Sequence, residues 1–301
     1  MKVGNKLKQI RIYFHMTQKE LSEGICSQAF LSKIENNIEI PNAEILFNLC
    51  KKIGVSVEQL FGESIDTIQQ KLIYRKMIED LIREQNYNAA LKLLQKRYLL
   101  HGYSDDHNYQ IHHYYLGICN YHLNNNIAEA ERNFNLAYKQ ENSISNLSIN
   151  PLNILITNAL AIIKIHNKDF ECGRRLLETC YSQISQLSSN LHSEMHSKIF
   201  YNLSKCYYLE GGYESSLKIS KEGIEWTKRF STTHFLAQLH YQKGVAELKL
   251  SQLNFAKQSL VLALSVAKVH NNQFLYEKIM ESDLCKTFYH EIESLFYILK
   301  F

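Results

Sequence analysis

The sequence predicts an all-α protein in which a helix-turn-helix domain is followed by a series of paired helices. Three observations carry this prediction. The 301 residues include only two prolines and 11 glycines, so few positions interrupt a helix. The Ser/Thr-x-x-Glu/Gln spacing that starts helices occurs at Thr17 with Glu20 and at Ser56 with Gln59. Later in the chain, small side chains recur at a repeated spacing, as closely packed helix pairs require.

Composition narrows the class of protein. Hydrophobic residues at 45% and charged residues at 21% are ordinary for a soluble globular chain, long enough for two domains. The seven cysteines form no C-x-x-C pair, which favours a reducing cytosol over disulfides or a zinc site. Neither a membrane-spanning apolar run nor a signal peptide is apparent, so we expect a cytoplasmic protein without a membrane partner. The 13 histidines lack metal-ligand spacing, and we expect no metal or cofactor.

The first helix of the chain has one apolar face. Val3, Leu7, Ile10 and Phe14 recur at i, i+4, i+7 and i+11, the spacing of a helix that packs on a core. A second helix should start at Thr17, with its capping box.

A third helix follows a tight turn and has the features of a recognition helix. Ser27 is a suitable N-cap, and Leu31 and Ile34 face the core. The outer face bears amide, small and basic side chains, which suit the major groove, while Gln18 at the start of the second helix suits a phosphate. Phe30 either contacts a thymine methyl group or packs on the second helix. The residues predicted to contact double-stranded DNA are Gln18, Ser27, Gln28, Ala29, Phe30, Ser32, Lys33 and Asn37.

The first domain should span residues 1–62. Pro41 and Asn42 start another helix, Gly54 ends it, and a short helix closes the domain near Phe61. Residues 1–64 carry seven lysines and one arginine against seven glutamates, a net charge of +1. Because phosphate neutralisation supplies much of the affinity for DNA, one such domain should bind weakly. We therefore expect a homodimer on a palindromic operator.

Residues 63–72 read as a linker or the start of a linker helix, and residues 73–301 as five degenerate helical repeats. The repeats are marked by small or apolar side chains at spacings of 12, 4 and 3 residues. Two copies have all three spacings, and two have only the last two. These positions are Ser204, Ser216, Ser220 and Gly223; Gly244, Ala256, Leu260 and Ala263; Ala130, Phe134 and Ala137; and Gly173, Leu177 and Cys180. A weaker first copy lies at residues 86–94. Asn150 and Pro151 suit the N-cap and first position of a helix. Residues 273–301 should form one C-terminal capping helix.

The helix-turn-helix residues resemble the lambda-repressor-like (Xre) family. Its pattern is present as Met16–Leu21 (MTQKEL) and Ser27–Glu35 (SQAFLSKIE). In that family an arginine at the place of Arg11 pairs with the glutamate that ends the recognition helix, here Glu35. The resemblance thus implies a structural ion pair between Arg11 and Glu35.

The repeats resemble tetratricopeptide repeats, which form a right-handed solenoid. The combination resembles the peptide-sensing Rgg, Rap, NprR, PlcR and PrgX (RRNPP) transcription regulators, most of all the PlcR branch, through residues 200–209, 212–217 and 238–244. It implies a dimeric regulator that senses a short signalling peptide in quorum sensing, with RNA polymerase as a further candidate partner. Repeat positions that face the groove in this family fall on His112, Tyr115, Asn158, Lys198, Tyr201, Asn202, Lys205, Gln238, Tyr241, Gln242 and Val245.

The chemistry of this predicted peptide-binding set suits such a ligand. Amides both donate to and accept from a peptide backbone, lysines attract a carboxylate, and tyrosines offer an apolar wall with a polar tip. Asn158 and Asn202 could instead satisfy contacts between helices.

Two other functions stay open at this stage. The repeats could grip a partner protein, as in an interaction scaffold, or they could act on a response regulator, as some relatives of the resembled group do. The sequence shows neither a nucleophile with its base nor a phosphate-binding loop, so we do not expect an enzyme.

Overall fold

The computed structural model describes residues 2–95, 106–123, 126–141, 150–187 and 196–292, and within them every regular element is a helix. The predicted all-α class, a helix-turn-helix domain followed by helical repeats, is confirmed. The helices form two compact units.

The first unit starts with a five-helix head. Its helices are α1 (Val3–Tyr13), α2 (Gln18–Ser22), α3 (Gln28–Glu35), α4 (Ala43–Ile53) and α5 (Val57–Gly62). The predicted caps are confirmed, because Thr17, Ser27, Asn42 and Ser56 each accept a hydrogen bond from a backbone N–H three residues on. Gly54 ends α4 with a left-handed φ of 77°, a conformation that glycine adopts without strain.

One core holds the head together and extends beyond it in sequence. Leu7, Ile10, Leu31 and Ile34 are almost fully buried there, and so is Ile68. Ile68 belongs to α6 (Ile65–Arg83), a continuous helix that starts at the N-cap Ser64. The polar stretch that the sequence suggests as a linker is thus helical from residue 65. Ile68 in the first turn of α6, with Leu72 one turn on, therefore packs the start of this helix against the head.

The rest of the first unit consists of α7 (Tyr87–Gln95), α8 (Asp106–Leu123) and α9 (Ile127–Glu141). The second unit contains three helix pairs: α10 (Pro151–His166) with α11 (Phe170–Gln186), α12 (Ser197–Leu209) with α13 (Tyr213–Arg229), and α14 (Leu236–Lys249) with α15 (Leu253–Val269). Asn150 caps α10, with Pro151 in its first turn as predicted.

The small residues that define the repeat spacing are buried between helices. All the positions in the four copies at residues 130–137, 173–180, 204–223 and 244–263 have this environment. At Gly223, a Cβ atom would lie 2.7 Å from side-chain atoms of Leu239 and Phe200. The helices therefore approach too closely there for any side chain.

The predicted single C-terminal helix is wrong in the part that the structure describes. Residues 273–292 contain α16 (Gln273–Met280) and α17 (Asp283–Thr287), because Ser282 caps a new helix by accepting from the Cys285 N–H. Residues 293–301 of this prediction lie outside the described residues.

Candidate DNA- and peptide-binding sites

The recognition helix α3 turns a polar face outward. Leu31, Ile34 and Glu35 are buried against the head, whereas Gln28 and Lys33 are exposed. Of the remaining predicted DNA contacts on this helix and its cap, Ser27 and Ala29 are exposed, and Phe30 and Ser32 are half-buried. Two amide or basic groups at the start and end of one accessible face suit base edges in the major groove.

The buried glutamate at the end of α3 holds the inner side of this helix. Arg11 Nε and Nη2 lie 2.6 and 2.8 Å from the two carboxylate oxygens of Glu35, and Arg11 Nη1 donates to the Met16 carbonyl at 2.7 Å. The hydrogen bond to Glu35 raises the pKa of Arg11. Glu35 is 0% exposed and Arg11 is 8% exposed, so the pair fixes α1 against α3 in a largely buried position.

Four of the predicted DNA contacts also have partners within the head: Ser27 caps α3, Lys33 Nζ lies 3.6 Å from Glu39 Oε1, and Gln18 and Asn37 bond as follows. Gln18 Nε2 donates to Glu35 Oε2 at 2.8 Å, so the amide bridges α2 to α3. Asn37, with a left-handed φ of 57°, accepts from the Gly4 N–H at 3.0 Å and donates to Asn5 Oδ1 at 2.7 Å. Their role in contacting DNA stays a prediction, and any such contact uses atoms beyond those that bond to the head.

In the second unit, the amide of Asn158 on α10 meets that of Asn202 on α12. Asn202 Nδ2 donates to Asn158 Oδ1 at 2.9 Å, and Asn158 is only 3% exposed. Within the described residues, the N–H₂ group of Asn158 and the carbonyl oxygen of Asn202 have no hydrogen-bond partner, so both amides keep unused capacity. Gln242 on α14 is also buried and donates to Ser216 Oγ at 3.3 Å.

Aromatic and cationic groups share these helices. The ring of Tyr201 lies 5.4 Å from that of Phe235, and burial raises the pKa of Tyr201 to about 12. Lys205 is exposed, yet desolvation by the surrounding protein, followed by the positive charge of Lys278, lowers its pKa. The ammonium groups of Lys205 and Lys278 therefore repel each other. The other predicted groove residues of this unit are all at least partly buried, namely Lys198, Gln238, Tyr241 and Val245.

The two remaining predicted groove residues belong to the first unit and are described there alone. The Tyr115 hydroxyl donates to Glu79 Oε1 at 2.8 Å. His112 is buried, and desolvation, with a contribution from His113, lowers its pKa to about 4.

Sequence reasoning did not find Phe235 and Lys278. Phe235 stands in a loop with a left-handed φ of 61°, and Lys278 is on α16, outside the repeat positions. Repeat spacing could not have assigned either residue, because neither occupies a repeat position.

Residues 75–288 match the C-terminal domain of the RNPP family, and residues 7–60 match a helix-turn-helix domain. The first match covers more than half of the chain, so the protein belongs to the RNPP family. No curated protein sequence matches the chain significantly.

Solved structures agree with this assignment at the level of the fold. PlcR from Bacillus thuringiensis, in complex with the peptide PapR7 and DNA, is 23% identical with a TM-score of 0.67 and covers 93% of this chain and 99% of that chain. The apo form of that protein is 22% identical, with a TM-score of 0.63 and coverages of 94% and 99%. ComR from S. thermophilus, in complex with DNA and its signalling peptide ComS, is 13% identical with a TM-score of 0.55 and coverages of 92% and 97%.

The described residues contain neither a candidate metal site nor a candidate membrane span. No three His, Cys, Asp or Glu side chains there come together to hold a metal ion. None of the described helices is both long and apolar enough to cross a membrane.

Proposed function

We propose that this protein is a transcription regulator whose operator binding is controlled by a short peptide that binds along α10, α12 and α14. Membership of the RNPP family and the exposed polar face of α3 support the DNA-binding half of this proposal. The observation that carries the peptide half is the incompletely bonded amide pair Asn158–Asn202.

The amide pair is complementary to one peptide unit. The N–H₂ group of Asn158 offers a donor to a peptide carbonyl, and the carbonyl oxygen of Asn202 accepts from a peptide N–H. Such bonds recognise backbone rather than side chains, so selectivity comes from neighbouring groups.

Charge supplies one source of that selectivity. Lys205 forms no ion pair within the described residues, and its pKa is lowered by desolvation and then by repulsion from the charge of Lys278. An acidic side chain of the peptide would relieve this repulsion, because an opposite charge favours the protonated lysine. We therefore expect an acidic residue in the activating peptide.

The test is calorimetric titration of the full-length protein with peptides encoded beside its gene. Replacing both Asn158 and Asn202 with alanine should weaken binding by about 1 kcal/mol or more, because backbone groups of the peptide lose their partners. Asn254→Ala, at an exposed position on α15, is the matched control and should bind as the unmodified protein does. Undiminished binding by the double variant would refute the site.

We further infer a homodimer that binds a palindromic operator, because residues 1–64, with a net charge of +1, provide little affinity alone. Two recognition helices about one turn of DNA apart can bind together. Sedimentation at micromolar concentration should show a dimer, and a species of 35.2 kDa alone would contradict it.

A further inference from the structure

A pocket opens inside the first unit, where the head, α6 and α8 meet. The space between its walls is about 620 Å³, a volume that includes the part open to solvent. Much of its wall is aliphatic and comes from four elements: Val55, Ile68, Leu72, Ile78, Leu94 and Ile111. This wall suits an alkyl chain or an aromatic ring, since it offers apolar surface and no hydrogen bonds.

Two cations stand on the polar side of the pocket. Lys71 and Arg75 are one turn apart on the same face of α6, and Lys71 pairs with Glu63. Arg75 Nε lies 3.0 Å from Glu79 Oε1, and Glu79 also accepts from the Tyr115 hydroxyl.

The guanidinium of Arg75 retains capacity for a ligand. Its polar partners within the described residues are Glu79 and Tyr115, whereas an arginine has five N–H donors. The remaining donors can bind a carboxylate in the two-pronged geometry that arginine favours.

We propose that this pocket binds an apolar group that ends in a carboxylate. The aliphatic wall takes the apolar part, and Arg75, with Lys71 beside it, takes the carboxylate. Two sources share this chemistry: the C-terminal residue of a peptide, and a small free carboxylic acid. The inference rests on the proposed function only for the first source.

A ligand bound in this pocket would contact both the head and the helices beside it. Val55 belongs to the head, Ile68 is part of the head core, and Ile111 belongs to α8. A ligand that contacts all three stabilises one arrangement of the head on α6 and α8. Binding then shifts the conformational equilibrium toward that arrangement. The size of the shift is set by how much more tightly the ligand binds that arrangement than the others.

The experiment is calorimetry on the full-length protein without DNA. The probes are octanoate, for a free acid, and N-acetyl-phenylalanine, for a peptide end; octanamide and N-acetyl-phenylalaninamide are their neutral analogues. At least one acid should bind, with its amide at least tenfold weaker. Arg75→Gln should lose at least tenfold in affinity for that acid.

Two further variants keep the result interpretable. Arg83→Gln, on the same helix but outside the pocket, where its partner is Asp80, should bind as the unmodified protein does. Gln59→Glu places a negative charge at the pocket and keeps the acceptor of its capping box. This variant should therefore also bind the acid more weakly. Unfolding midpoints show whether each variant is folded.

The outcomes separate the sources and the proposals. Binding of octanoate alone indicates a free acid, binding of N-acetyl-phenylalanine alone indicates a peptide end, and either supports the pocket. Three outcomes overturn the pocket proposal. These are equal binding of acid and amide, unchanged binding by folded Arg75→Gln, and no binding of either acid at millimolar concentration. Operator binding and the Asn158/Asn202 titration are measured separately, so failure of the pocket leaves the proposed function standing.

Discussion

The head contains a buried polar pair and the second unit a partly buried one, and the two pairs differ in how completely the protein satisfies them. In the head, Glu35 accepts from both Arg11 and Gln18, and a third Arg11 nitrogen bonds to a carbonyl. In the second unit, Asn158 and Asn202 share one hydrogen bond. A saturated network serves the fold, whereas a pair with unused donors and acceptors is suited to a ligand. Changes to the two pairs should therefore have different effects.

The largest expected effect is on the stability of the head. Arg11→Ala leaves the Glu35 carboxylate buried without its cation, and breaking such a pair costs about 3–5 kcal/mol of unfolding free energy. Urea unfolding of the full-length protein measures this loss.

The matched control for that prediction removes both charges. Arg11→Met combined with Glu35→Leu should recover most of the stability, because no charge then remains buried. A double variant as unstable as Arg11→Ala would show that packing of the arginine stem, not charge, holds α1 to α3.

The outer face of the same helix should affect DNA binding instead of stability. Gln28→Ala should cost about 1–3 kcal/mol on the cognate operator and relax base preference, because the exposed amide loses its contact with a base edge. Gln18→Ala should weaken binding to all DNA sequences by a similar amount. Mobility shifts on cognate and scrambled sites distinguish the two, and unchanged preference in Gln28→Ala would mean that α3 reads the groove with other residues.

A smaller effect is expected on the pH dependence of stability, and each unit contributes one histidine to it. Burial lowers the pKa of His112 in the first unit and of His240 in the second to about 4, with contributions from His113 and from Lys243 and Lys228 respectively. Both are neutral when folded, while the unfolded chain takes up protons below about pH 6.5.

Their contribution to stability is therefore full above about pH 6.5 and is lost as the pH falls toward 4. Each histidine should contribute a slope of at most about 1.4 kcal/mol per pH unit. Urea titrations at pH 7 and 5 test this with His112→Gln and His240→Gln. A pH dependence that neither substitution reduces would assign it to other groups.

The smallest expected effect is on the stability of the second unit. Changing Asn158 and Asn202 together to leucine removes both partners of one hydrogen bond, which should alter the unfolding free energy by less than about 1 kcal/mol. Peptide binding should nevertheless weaken by about 1 kcal/mol or more, as in the double alanine variant. If unfolding shifts by several kcal/mol, the pair is a structural feature, and the contrast between the two units disappears.

Local sequence determined most of the helices. The capping residues Thr17, Ser27, Asn42 and Ser56 act on backbone groups three residues away, so their effect can be read without knowledge of the fold. The repeat spacing likewise identified positions that are buried between helices. The exception, the break at Ser282, also has a local cap, but the aromatic-rich sequence around it obscured that signal.

Tertiary structure alone decided how the candidate sites are assembled. Asn37 bonds to Gly4 across 33 positions, and Gln18 bonds to Glu35 across 17, so their sequence neighbourhoods contain no sign of these contacts. The charge of Lys278 reaches Lys205 from a helix outside the repeat positions. The aliphatic pocket arises where the head, α6, α7 and α8 converge. Sequence patterns report which side chains a helix presents, but which of them meet depends on how distant helices pack, and that is set by the burial of the whole core.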